Sequence, residues 1–352
     1  MDNNLSSKTL TSSQIFNILA LRYDTSQKSN LLKLNSSDFV PSSNQLSLEL
    51  IESLIKKSIK NKITSDIKVM NIALSGGVDS TLVLSIMKKY FSEIKINAFS
   101  VQFFDSIDET QQSQKIAEHF DIDYTKIFIE NYLRELPKAI SIVNAPFWDL
   151  HWYYVSKQAQ KSSSTILSGD GGDELFGGYT FRYEKYLNLT SLNSSPLDRV
   201  KNYLSCHERD FVPDQEKLFE EKLQFSWNDI YSSLLPYFDN SLSLLDQVFL
   251  ADYNGKLLYN FSTNNQKISN YFNLESITPI LEPELISYAT HLSHIYKYDL
   301  GSSTVSRDIR YFFVSIESPH QWGNSVPSCK TVHDFPTKGK RDSMVVYLAQ
   351  IN

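Results

Sequence analysis

Seven of the chain's 11 glycines fall in two short stretches, Gly76 and Gly77 in one and Gly169, Gly171, Gly172, Gly177 and Gly178 in the other. Each stretch follows a short apolar run, KVMNIAL at 68–74 and TIL at 165–167. Glycine concentrated in this way marks corners where backbone turns sharply or admits a close neighbour. Between the corners the period alternates. Residues 68–74 suit a buried strand, and beyond them Leu82, Val83, Ile86, Met87 and Tyr90 recur at helical spacing. A second strand is predicted over 94–103, a helix over 109–120, a third strand over 124–129, helical segments around 131–143 and 150–161, and a fourth strand over 165–167. Strands alternating with helices predict an α/β fold, a parallel sheet with helices on both faces. Ligands of such sheets sit beyond the carboxyl ends of the strands, so both corners belong to that rim.

The remaining sequence divides around this core. Residues 1–45 are rich in Ser and Asn with one apolar patch at 15–21, and read as a connector or cap. Apolar residues at helical spacing over 46–63 predict a helix feeding the first strand. After Tyr186 the pattern turns aromatic and helical, notably over 225–261, which predicts an all-helical region against the sheet. The boundaries taken are 46–190 for the core and 191–345 for the helical part. A chain of 352 residues, 41% hydrophobic and 21% charged, has room for one large folded domain or two moderate ones. A net charge of −6 without a long basic run argues against nucleic acid as a partner. Two cysteines give no disulfide framework and no zinc spacing, which favours a reducing compartment. Neither a secretory leader nor a membrane-length apolar stretch stands out, so a cytoplasmic protein with no membrane partner is expected.

The first corner, Ser75-Gly76-Gly77-Val78-Asp79-Ser80, sits between strand and helix, where backbone N–H groups and the helix N-terminus converge on one place. Two glycines permit close approach and two serines add hydroxyls, a setting for phosphate oxygens. A carboxylate there repels such a ligand unless a divalent cation bridges them, which gives Asp79 its purpose. A plain glycine turn with Asp79 favouring a helix start is the competing reading. No lysine follows the glycines, so this is not the Gly-Lys-Ser/Thr phosphate loop. The second corner, Ser168-Gly169-Asp170-Gly171-Gly172-Asp173-Glu174, packs three carboxylates into five positions. They need a cation, a shared proton or full solvation to coexist. An exposed acidic loop would not require Leu175, Phe176 and Tyr179 beside it.

Together SGGVDS and LSGDGGDELFGGY resemble the two signatures of the asparagine synthetase family within the ATP pyrophosphatases, over residues 46–186 above all. The resemblance implies the fold of that superfamily, ATP as substrate and Mg²⁺ as cofactor. It further implies that Ser75, Gly76, Gly77 and Ser80 bind the phosphates that leave as pyrophosphate, and that Asp79 and Asp173 hold the Mg²⁺. Val101, Ser168 and Gly169 would line the adenosine pocket, and Asp170 would stand beside an acyl-adenylate. Asp170 or Glu275 is then the candidate base for an incoming amine, and Lys330 a candidate for the family's active-site lysine.

The family's glutaminase nucleophile is a cysteine directly after the initiator methionine. Asp2 stands there in this sequence, so the resemblance implies a synthetase part without that glutaminase. Nitrogen would come as free ammonia or from a separate glutamine amidotransferase. The stretch 269–282 resembles a family segment reading Ser-Leu-Glu, any residue, Arg, any residue, Pro-Phe-Leu-Asp. Glu275 and Pro279 match it, whereas Ile277 replaces the arginine, a candidate partner for a substrate carboxylate. Three readings follow: an ammonia-dependent asparagine-forming ligase, an amide-forming ligase of specialised metabolism acting on another carboxylate, and a nucleotide-binding subunit without catalysis. His291 and His294 lack a third ligand and read as surface or packing residues.

Overall fold

Short β-rich runs flanked by turns become strands wherever expected. In the computed structural model, which describes residues 10–104, 106, 108–147, 149–207 and 224–298, they are β1 (Val69–Ala73), β2 (Lys95–Phe103), β3 (Asp123–Ile129) and β4 (Thr165–Leu167). All pair in parallel, in the order β3-β2-β1-β4, and a fifth strand, β5 (Glu275–Ile277), adds to β4. The helices are α1 (Ser12–Leu21), α2 (Leu48–Lys62), α3 (Val78–Tyr90), α4 (Thr110–His119), α5 (Leu136–Val143), α6 (His151–Ala159), α7 (Gly172–Phe176), α8 (Thr180–Leu189), α9 (Pro196–Ser205), α10 (Trp227–Phe238), α11 (Leu244–Asp252), α12 (Thr263–Tyr271) and α13 (Pro283–Thr290).

Each face of the sheet is covered, because alternate strand residues are apolar in both directions. Met70, Ile72, Ile96, Ala98 and Leu167 join α2, α3 and the later helices in one buried cluster. Phe99 and Ile166 face the other way, toward Val143 of α5, Trp152 of α6 and Ile268 of α12. α3 is buried almost all round, with every residue from Ser80 to Met87 enclosed. One polar strand residue, Asn71, is wholly buried and fully used. Its amide donates to the carbonyls of Ala159 (2.9 Å) and Ser163 (3.2 Å), and its Oδ1 accepts from Ser162 (2.7 Å), which ties the end of α6 to β1.

The segment expected to be purely helical departs from that expectation at β5. Three residues are too few to show a period of two, so periodicity alone does not reveal them. Pairing creates the strand: Glu275 N–H donates to Ser164 (2.8 Å), and Ser168 N–H donates to Ile277 (3.0 Å). Between α11 and α12, residues Tyr253–Ser262 widen into π-helical turns. Asn254 uses both amide atoms there, accepting from Leu34 N–H (2.9 Å) and donating to Leu34 C=O (2.8 Å). This pins residues 31–35 to the helical layer, and Phe16 of α1 packs edge-on against Phe225. Among the described residues no helix is long and apolar enough to cross a membrane.

Candidate functional site

The sheet order places the site. β1 leads outward to β2 and β3 on one side and meets β4 and β5 on the other, so the crevice at the carboxyl ends of β1 and β4 is a topological switch point. The loop after β1 is residues 74–77, and the loop after β4 is residues 168–171. Both glycine corners therefore flank the same crevice.

They also touch. A Cβ on Gly169 would stand 2.5 Å from the Ser80 amide nitrogen, and a Cβ on Gly172 would stand 2.3 Å from the Asp79 carboxyl. Only glycine permits contact at that range. Within the first corner the serines hold the turn. Ser80 Oγ accepts from Ser75 N–H (3.2 Å) and lies 3.2 Å from Ser75 Oγ, which accepts from Gly77 N–H at 3.2 Å. Thr81 Oγ1 donates to Gly77 C=O (2.8 Å), anchoring the first turn of α3. Val101 lies two residues past Phe99, the last β2 residue paired with β1, and so stands at the same rim.

Four carboxyl groups crowd this crevice. Burial raises the Asp79 carboxyl well above its ordinary range, and the charges of Asp173, Glu174 and Asp170 raise it further. Glu174 is pushed up to about 7 by burial and by Asp173, although its Oε1 accepts a 2.5 Å hydrogen bond from Tyr179. Asp170 is raised by burial, against hydrogen bonds from Ser168 (3.1 Å) and Asn265 (2.9 Å) to its Oδ2. Nearby, desolvation by the surrounding protein pushes Asp149 upward although its side chain is half-exposed, while the hydrogen bonds and charge of His151, 2.8 Å away, together with the Lys256 charge hold the carboxyl below its usual range.

Mutually opposed acids held beside a bed of backbone N–H groups are a donor set that fits a hard divalent cation. Among the described residues no group of three or more His, Cys, Asp or Glu side chains converges as a metal cage. Mg²⁺ suits that composition, since it is commonly bound through one or two carboxylates and completes its shell with water and phosphate oxygens.

The structure thus brings Ser75, Gly76, Gly77, Asp79, Ser80, Val101, Ser168, Gly169, Asp170 and Asp173 to one rim. It does not bring Glu275 there. Glu275 pairs with Thr165 at the amino end of the parallel strands, is exposed, and faces the opposite rim beside Lys62, Gln266 and Asn270. Lys330 lies outside the described residues. His294 Nδ1 is 3.1 Å from Asp246 and His291 Nδ1 2.8 Å from the Ser287 carbonyl, both in packing roles. Two site residues escape the sequence reading: Asn265, on α12, and Thr278, whose Oγ1 lies 3.2 Å from Ser168 Oγ. Asn265 belongs to no patterned motif and Thr278 stands at an unspecified position of the 269–282 segment, so it is β5 and α12 that carry them to the rim.

Residues 50–303, more than half of the chain, match the family model described as asparagine synthase. A Methanocaldococcus jannaschii protein provisionally named glutamine-hydrolyzing asparagine synthetase 2 is 33% identical over 153 residues, covering 42% of this chain and 28% of its own length. The glutamine-hydrolyzing asparagine synthetase 1 of Bacillus subtilis is 30% identical over 221 residues, covering 56% of this chain and 33% of its own. The matched regions thus span about a third or less of these relatives. An NMN synthetase structure from Francisella tularensis is similar at a TM-score of 0.32 and 18% identity, covering 58% of this chain and 92% of that one.

Proposed function

We propose that this chain, which belongs to the asparagine synthase family, is an ATP-dependent and Mg²⁺-requiring ligase that adenylates a carboxylate, releases pyrophosphate and forms an amide with ammonia. The observation that carries the reading is the contact between the two corners, with Gly172 packed on the Asp79 carboxyl and Gly169 on the Ser80 backbone. That contact brings the Ser75–Ser80 corner and the acid-bearing corner to one crevice, which supports reading the first as a phosphate cradle. In the first step an oxygen of the substrate carboxylate attacks the α-phosphorus, and the bond to the β-bridging oxygen breaks. The leaving pyrophosphate is received by the N–H groups of 75–77, the start of α3 and the Ser75 and Ser80 hydroxyls. Asp79 and Asp173 would hold Mg²⁺, which when bound supplies positive charge to the departing phosphates. In the second step nitrogen attacks the acyl carbon, AMP leaves, and the proton shed by nitrogen goes to Asp170. The chain's own contribution is positioning and fixed charge more than covalent chemistry.

The simplest substrate is the aspartate side chain, giving asparagine, with ammonia free or delivered by a separate amidotransferase. One observation favours a different carboxylate. Ile277, where the resembling family segment has arginine, is buried in β5 and offers no charge to a second carboxylate on the substrate. Sparse cysteine usage suits a reducing cytoplasm for either substrate.

The test is pyrophosphate release from ATP with Mg²⁺, ammonia and a panel of acids that includes aspartate and larger carboxylates. Release with at least one acid is expected, together with a loss of at least roughly 100-fold in Asp79→Asn and Asp173→Asn. Silence with every acid, or full turnover in both variants, contradicts the reading.

A further inference from the structure

Asp170 is held from two sides. Ser168 Oγ, two residues before it, donates to Oδ2 at 3.1 Å, and Asn265 Nδ2 donates to the same oxygen at 2.9 Å from 95 residues further along the chain. Oδ1 takes no hydrogen bond among the described residues. The amide of Asn265 in turn has Asp170 as its one partner there. Its backbone is fixed separately: Trp152 Nε1 donates to the Asn265 carbonyl (3.1 Å) and to Ser269 Oγ (2.9 Å) one turn on, locking α12 against α6. Thr278, just past β5, meets Ser168 Oγ at 3.2 Å and completes the frame.

From this geometry we infer that Asn265 is a positioning residue for the amide-forming step, holding the Asp170 carboxylate by Oδ2 and leaving Oδ1 for the incoming nitrogen. The inference rests on the ligase reading above. Its physical basis is charge and direction. Asp149, in the loop before α6, lies near enough for its negative charge to act on Asp170. A fixed N–H donor opposes that repulsion and restricts the side chain to one orientation. A hydrogen bond to a charged group contributes more than one between neutral partners. Packing alone would not call for an amide donor at 265.

The test uses the full chain and separates the two half-reactions, acid-dependent exchange of labelled pyrophosphate into ATP and net amide formation. Asn265→Ala is expected to lower kcat for amide formation roughly 10- to 100-fold, with KM for ATP and the exchange rate changed by no more than about twofold. Asn265→Asp keeps the shape, removes the donor and adds a like charge, so it should fall at least as far. Asp170→Asn combined with Asn265→Ala should be no slower than Asp170→Asn alone. The inference is overturned if Asn265→Asp restores the rate that Asn265→Ala loses, or if the two losses multiply in the double variant. It also falls if exchange and amide formation drop together. A wild-type chain that exchanges no pyrophosphate with any acid instead overturns the ligase reading, and this inference with it.

Discussion

At the Asp79 carboxyl a single methyl group on Gly172 would intrude to 2.3 Å, so one residue's missing side chain decides whether the two corners meet. Asp79, Asp173 and the serines of the first corner were legible in the sequence, because acids beside glycines after an apolar run make little sense except near a cation or anion. Asn265 was not, since an asparagine in Thr-Asn-Asn-Gln carries no local signal and its role depends on α12 reaching across to β4. Nor was Lys297, which is wholly buried with no hydrogen-bond partner for its Nζ among the described residues and lies 4.9 Å over the Phe249 ring. Burial pulls its ammonium down to about 8, with the Asp246 charge opposing. The unfolded chain binds that proton up to about pH 10.5, the folded chain only to about 8. Between those values the unfolded state holds more protons, so stability rises with pH. Lys297→Met is therefore expected to raise stability at pH 7 by about 1–3 kcal/mol and to flatten that rise, as read by urea melts at pH 7, 9 and 10.5. Equal or lower stability at pH 7 with the slope retained would assign the burden elsewhere.

Elements tell a different story from residues. Helices and strands of the core follow from period and from capping, as when Ser47, Ser195 and Ser243 each accept the backbone N–H three positions on at the start of α2, α9 and α11. β5 does not follow from its own three residues, and it is what carries Thr278 to the rim while leaving Glu275 at the far end. The matched glutamate in a recognisable segment thus pointed to the wrong edge of the sheet, because sequence similarity does not say which end of a strand a residue occupies. The π-helical turns of 253–262 are equally invisible to a period of 3.6. Their Asn254, buried and bonded to both backbone groups of Leu34, is the joint between the N-terminal segment and the helical layer. Asn254→Ala strands two backbone groups and should cost roughly 2–4 kcal/mol of stability, with faster hydrogen exchange confined first to residues 31–35. Unchanged exchange there would mean the segment is held by other contacts.

Across the whole molecule, topology places the candidate site before any side chain is considered. A parallel sheet with order 3-2-1-4-5 has one switch point, and both glycine-bearing loops open onto it. That much was legible from alternating periods and glycine placement alone. The identity of the carboxylate was not, because the one cue at hand, Ile277 in place of an arginine, removes a candidate contact without supplying another. In the function proposed above, Asp79 and Asp173 serve one cation beside a bound triphosphate. Anomalous diffraction from crystals grown with Mn²⁺ and a non-hydrolysable ATP analogue tests it most directly. A manganese peak bonded to both carboxylates and to phosphate oxygens in the crevice between β1 and β4 is expected. A peak on neither carboxylate, or nucleotide phosphates seated away from residues 75–80, would contradict it.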